Sequence, residues 1–252
     1  MQVNYPDQTK NLSLYATKEN EKCLIFSVYG DGGRCEEELT RHKKVMDSQE
    51  EVFSKFNIPL NRFYHNFNYY GMGPKITQIV NAFVDKIDYF IILDIDICPL
   101  KASFIDEIID KIKDGRTVFG GVQQSNHVVV NGSKHHLYAS LSYFGISSKI
   151  YNALGKPSFE SNHRGDVAEE IAWLIEEKGY NMCLTFPSSF METTVEEQKQ
   201  YGVPSHWDLG NGHRFGLATV YGDAVFHATM QALPRSTDLF VQKCNEMILS
   251  KN

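Results

Sequence analysis

The sequence predicts an α/β fold: a mostly parallel central sheet flanked by helices, with a smaller antiparallel part in the second half. Three observations carry this. Cys23–Val28 and Tyr89–Leu93 are short, compact apolar runs with β-branched and aromatic members, the signature of buried strands. Stretches with apolar residues at helical spacing alternate with them. Beyond residue 116, Val128-Val129-Val130-Asn131-Gly132 carries a hairpin turn signal, so antiparallel strands are expected there.

Taken in order, residues 1–20 are polar and read as a loose leader or edge extension. The first strand ends in the turn Tyr29-Gly30-Asp31-Gly32-Gly33. A helix is predicted from Glu36 to Phe56, with Leu39, Val45, Met46, Val52, Phe53 and Phe56 as its apolar points. Phe63–Phe67 is a second strand. Gly71-Met72-Gly73-Pro74 opens the next helix, where proline suits the first turn. The strand Tyr89–Leu93 runs into Asp94-Ile95-Asp96. Ser103 and Asp106 resemble a capping box before Ile105, Ile108, Ile109 and Ile112. Later helices are expected at Ser148–Leu154, Asp166–Lys178 and Ser236–Leu249. With no repeats or low-complexity linkers, the whole of 1–252 reads as one domain. Its parts are a half at 22–115, a second half at 116–231 and a C-terminal helix at 232–252.

Composition narrows the function. A net charge of −6 offers no broad field for nucleic-acid phosphates, which disfavours DNA as a partner. Five cysteines, odd in number and without a C-x-x-C pair, exclude a disulfide framework and a structural zinc site. No apolar run has membrane-spanning length and no signal-peptide core is evident, so a cytoplasmic enzyme is expected.

The chemistry concentrates at Asp94 and Asp96. Parallel sheets bind ligands beyond the carboxyl ends of their strands, and residues i and i+2 of an extended chain point to one side. Both carboxylates can therefore address one hard divalent cation, Mg²⁺ or Mn²⁺. A D-x-D tripeptide by itself is common. Its position after a buried strand, with no basic neighbour before Lys101, is what makes this one informative.

The strand Tyr89–Leu93 with Asp94-Ile95-Asp96 resembles the D-x-D strand of GT-A glycosyltransferases. The likeness extends loosely over Lys22 to Gln231, although only the acidic pair is specific at residue level. It implies a GT-A-like fold and a nucleotide-diphosphate sugar donor, a UDP-sugar above all, with a hydroxyl-bearing acceptor. It further implies Asp96 as metal ligand, Asp94 as helper to the metal or ribose, and the late His227 as third ligand. The loop after the first strand (Ser27, Val28, Tyr29, Asp31) would contact base and ribose, and Lys75 a phosphate, with Asn81 near the site. Asp166, at the expected N-cap of a helix, would be the catalytic base or an acceptor ligand, with Glu169 as the substitute. Trp207 and Asp208 would belong to an acceptor-facing loop, whereas His135 and His136 read as inert turn residues.

Competing readings fit less well. The turn at Gly30 lacks the G-x-G-x-x-G of NAD enzymes, and Gly30-Asp31-Gly32-Gly33-Arg34 is too short and acidic for a sugar-nucleotide pyrophosphorylase. A hydroxymethylated DNA base remains an alternative acceptor, as in viral enzymes of this type, and a non-catalytic nucleotide-sugar-binding protein of the same fold is the non-enzymatic alternative.

Overall fold

The computed structural model describes residues 12–31, 34–65, 72–125, 136–229 and 233–250. The elements in chain order begin with β1 (Tyr15–Ala16), β2 (Lys22–Gly30), α1 (Glu36–Lys55), β3 (Asn61–His65), α2 (Met72–Phe83), β4 (Tyr89–Leu93) and β5 (Ile97–Pro99). There follow α3 (Phe104–Ile112), β6 (Thr117–Gln124), β7 (Leu137–Ser147), α4 (Ser148–Ala153), α5 (Glu169–Glu177) and β8 (Asn181–Thr185). The last are β9 (Ser189–Met191), α6 (Val195–Tyr201), β10 (Trp207–Asp208), β11 (Arg214–Phe215), β12 (Ala218–Tyr221), β13 (Val225–His227) and α7 (Pro234–Leu249). The fold is mixed α/β, and the chain divides into two compact units.

The first unit comprises residues 1–33, 59–94 and 105–184. Its seven-stranded sheet runs β1-β2-β4-β7-β6-β8, with β3 on β2. The heart is parallel: β2 pairs with β3 and with β4. Both predicted apolar runs are central strands, and every residue of β4 is buried. β7 joins β4 antiparallel, and β6 joins β7 antiparallel. The antiparallel part expected in the second half thus enters the central sheet itself. An apolar run on a strand buried on both faces does not encode its direction. The hairpin turn expected at Asn131-Gly132 lies outside the described residues, as do residues 66 and 67 of the second predicted strand.

Side chains from one sheet face and from α2, α4 and α5 form the core cluster of this unit, among them Phe26, Phe63, Ile76, Phe90, Phe144, Tyr151 and Phe159. Phe144 meets Phe159 edge-on at 5.9 Å. Gly145 is required: a Cβ there would lie 2.5 Å from Ile108 of α3.

The second unit comprises residues 34–58, 95–104 and 185–252. A four-stranded sheet in the order β5-β13-β12-β9 is antiparallel throughout. Helices α1 and α7 pack on each other, and α1 also packs on β5. Phe53 of α1 meets Phe104 edge-on at 5.8 Å. Cys23, Cys98 and Cys244 are buried, Cys183 is half-buried and Cys35 exposed, all as free thiols. Among the described residues no helix is long and apolar enough to cross a membrane.

Phe144→Ala empties a fully buried ring site where β7 faces Phe159. It is expected to cost about 3–5 kcal/mol, read as a lower urea midpoint with an unchanged slope.

Candidate metal centre

β4 is apolar to its last residue, and its exit fixes the two acids. The Asp94 N–H donates to the Ser142 carbonyl of β7 at 3.0 Å, extending the β4–β7 ladder by one residue. Asp94 ends one segment of the first unit, and Ile95 begins a segment of the second. Ile95 is buried, so the chain is anchored between the two carboxylates. Asp96 then precedes β5, where Ile97 stands opposite His227 of β13 and the Ala228 N–H donates to the Asp96 carbonyl at 3.1 Å.

This register brings the His227 Nε2 within 3.5 Å of the Asp96 Oδ1, with both residues buried. Asp94, Asp96 and His227 each offer one ligand atom, and these atoms lie within 4.8 Å of one another. The Asp96 Oδ1 is buried yet has no hydrogen-bond partner among the described residues. A carboxylate oxygen in that condition is costly unless a cation satisfies it. Two carboxylates and one imidazole suit a divalent ion that accepts both oxygen and nitrogen, so the residues fit the group they were expected to hold. Tyr221 of β12 lies over the His227 ring, with centroids 6.4 Å apart. Burial, followed by the Asp96 charge, pushes its phenol well above the usual range.

The residues expected to meet a nucleotide emerge at the carboxyl end of β2. β2 runs parallel to β4 with Phe26 opposite Ile92, so they leave the sheet at the same end as Asp94. Ser27 is fully buried and its hydroxyl has no partner among the described residues. Val28 and Tyr29 are buried, and Asp31 is exposed. The Tyr29 ring lies 5.7 Å from that of Tyr64, whose hydroxyl donates to Asp31 at 2.9 Å. Tyr64 and His65 were not anticipated. Parallel pairing places them opposite Tyr29 and Gly30, and a Cβ on Gly30 would strike the His65 ring at 2.7 Å. Only knowledge of the β2–β3 register could have found them. Lys75 is half-buried in the first turn of α2. Asn81 instead accepts a hydrogen bond from the Tyr151 hydroxyl at 3.1 Å.

Asp166 is not a helix N-cap. α5 starts three residues later, after Ala168 in the left-handed region at φ 67°. The Asp166 Oδ1 accepts from the Val167 N–H at 2.7 Å, and the Asp166 N–H donates to the Glu169 Oε2 at 2.8 Å. Glu169 is fully buried, and both its oxygens are engaged. Oε1 is 2.7 Å from the His136 Nδ1, and Oε2 also accepts from the Ser125 hydroxyl at 2.9 Å.

His136 was expected to be an inert turn residue. It is buried, its Nε2 lies 3.2 Å from Glu176, and the Trp173 ring stacks on it at 3.8 Å. His135 lies outside the described residues. Trp207 and Asp208 form the short, exposed β10: Trp207 stacks on Phe215 at 5.1 Å, and Asp208 pairs with Arg214 at 2.9 Å.

No family model matches the chain, and no curated protein matches it. Among solved structures it is similar to A197 from STIV, with a TM-score of 0.40 and 12% identity over 64% of this chain and 80% of that one. A likeness that slight carries no argument. The centre stands on its own geometry.

The Glu169–His136 pair makes a pH prediction. Burial opposes the proton on His136, but hydrogen bonds and charge from Glu169 and Glu176 outweigh it and raise its pKa. Burial likewise works against the Glu169 charge, and His136, the Asp166 N–H and Ser125 outweigh that, lowering its pKa. The histidine contribution is therefore complete below its ordinary pKa of about 6.5 and is lost as pH rises through the higher folded value. The Glu169 contribution is complete above about 4.3 and is lost as pH falls through the lower folded value. Glu169→Gln is expected to cost about 1–3 kcal/mol at pH 6 and to flatten the decline towards pH 8, read by urea unfolding at both pH values.

Proposed function

We propose that the chain is a divalent-metal-dependent glycosyltransferase, moving a hexosyl or pentosyl group from a nucleotide-diphosphate sugar, UDP-sugar above all, to a hydroxyl acceptor. The observation that carries this reading is the convergence of Asp94, Asp96 and His227, with a buried Asp96 oxygen that has no hydrogen-bond partner among the described residues. The place of Asp94 at the carboxyl end of a parallel strand supports it, because ligands of open α/β sheets gather there.

On this reading Asp96 and His227 hold Mn²⁺ or Mg²⁺, and Asp94 serves the ion or the ribose. When bound, such an ion supplies positive charge against which a nucleoside diphosphate can leave. The chain's own residues do the rest. Tyr29 and Asp31 address base and ribose, with Val28 shaping the floor of the site. The Ser27 hydroxyl gains a partner, and Lys75 faces phosphate as a point charge. Asp166 removes the proton from the attacking hydroxyl in a transition state of oxocarbenium character. Glu169, fully engaged by His136, Ser125 and the Asp166 N–H, positions Asp166 and is not itself the base.

Calorimetry with UDP and Mn²⁺ tests the reading. The unaltered chain is expected to bind UDP only with the ion present, and Asp96→Asn to lose that metal-linked binding and donor hydrolysis together while its thermal midpoint holds or rises. Equal heats for the two proteins would remove the metal centre from the function.

A further inference from the structure

We propose that Gln49 is a positioning residue for the Asp96–His227 pair. The proposal rests on the metal reading for its consequence, but its geometry lies wholly within the second unit. Gln49 sits on α1, fully buried, among the apolar residues Val45, Met46, Val52 and Phe53. A polar side chain on that face needs a partner, and its Nε2 donates to the Ile97 carbonyl at 3.0 Å.

The choice of that carbonyl matters. Ile97 and His227 are opposed in the β5–β13 ladder, and the ladder bond next to them runs from the Ala228 N–H to the Asp96 carbonyl. In an antiparallel pair of this kind the bonds are made by the flanking residues, so the backbone groups of Ile97 point away from β13. β5 is the outer strand of its sheet, and among the described residues no further strand takes up that carbonyl. Gln49 takes the place of the missing strand. It fixes the peptide that joins Ile97 to Cys98, the next along from the Asp96–Ile97 peptide, whose carbonyl the ladder holds.

An edge strand of three residues is held by few bonds, and a small rotation of its first peptide would swing the Asp96 carboxylate relative to the His227 ring. Groups one step removed from a metal commonly matter in this way: their loss weakens ion affinity about 10–100-fold. Gln49 touches neither ion nor substrate in this account and acts through the Asp96 backbone.

The test compares two variants of the full chain. Gln49→Met keeps length and apolar bulk but removes the donor. Val52→Ala, at another fully buried position of α1, lowers stability without altering the bond to Ile97. Gln49→Asn, which keeps the amide but draws it back by one methylene, is the second variant should the first not fold. Mn²⁺ affinity is measured by calorimetry, and the His227 imidazole nitrogen resonances are recorded on ion-free protein.

The expected result is Mn²⁺ binding weakened about tenfold or more and shifted His227 resonances in the Gln49 variants. Val52→Ala is expected to lower the thermal midpoint but leave both readouts alone. Wild-type affinity with unmoved resonances in the Gln49 variants overturns the proposal, as does an equal loss in Val52→Ala. Should the unaltered chain take up no Mn²⁺, the metal reading falls, and the resonances alone decide whether Gln49 orders the pair.

Discussion

A carboxylate withdrawn from water must find compensating charge or donors, and the structure around Asp96 follows from that requirement. Its Oδ1 is buried and has no hydrogen bond among the described residues, with the His227 imidazole 3.5 Å away and Asp94 two residues earlier in the chain. Two unit charges 4 Å apart repel by about 4 kcal/mol at the effective dielectric of a protein surface, enough to unseat either acid unless a positive charge stands between them. The β5–β13 register is what makes relief possible. A slip of one residue would turn His227 to the opposite face of its sheet and leave the acids without their third partner.

Glu169 shows what a buried acid looks like when protein groups occupy its oxygens. It is as buried as any residue in the chain, yet His136, Ser125 and the Asp166 N–H occupy its oxygens. That network also has an architectural consequence. The Ser125 N–H donates to the His136 carbonyl, so the ends of β6 and β7 meet there, and one carboxylate ties both to the start of α5. Asp96 and Glu169 are thus similar in burial and opposite in saturation. Saturation, rather than burial, separates an acid that completes a fold from one that still has a ligand to meet.

Much of this was legible in the sequence. The buried strands β2 and β4 came from compact apolar runs and α1 from its apolar points, and these and the helices expected at Ser148–Leu154 and Ser236–Leu249 are correct to within about two residues at their ends. Asp94 and Asp96 were visible because strand and acids are contiguous. The direction of β7 against β4 was not visible, since an apolar segment fits either sense of pairing. The burial of His136 and its pairing with Glu169 were not visible for a related reason. The two are 33 residues apart, and each has an ordinary local explanation as a turn residue or a first-turn acid until the pairing is known. The start of α5 was read from the preference of aspartate for N-caps, but a left-handed Ala168 sets the boundary instead. Tyr64 and His65 waited on the β2–β3 register, as Gln49 waited on the edge position of β5.

The number of ligands bears on the kind of ion and the kind of function. The three candidate ligands among the described residues, two of them carboxylates, fall short of the six to eight oxygens that calcium gathers. Magnesium prefers an all-oxygen shell, so the imidazole of His227 weighs towards manganese. Either ion would retain positions that the protein does not fill. A structural metal site closes its shell with protein groups, whereas a catalytic site leaves room for substrate. On the proposed reading, a group of two carboxylates and one imidazole beside the carboxyl end of a parallel strand would leave an ion free to meet oxygens that arrive with the substrate, those of a diphosphate among them.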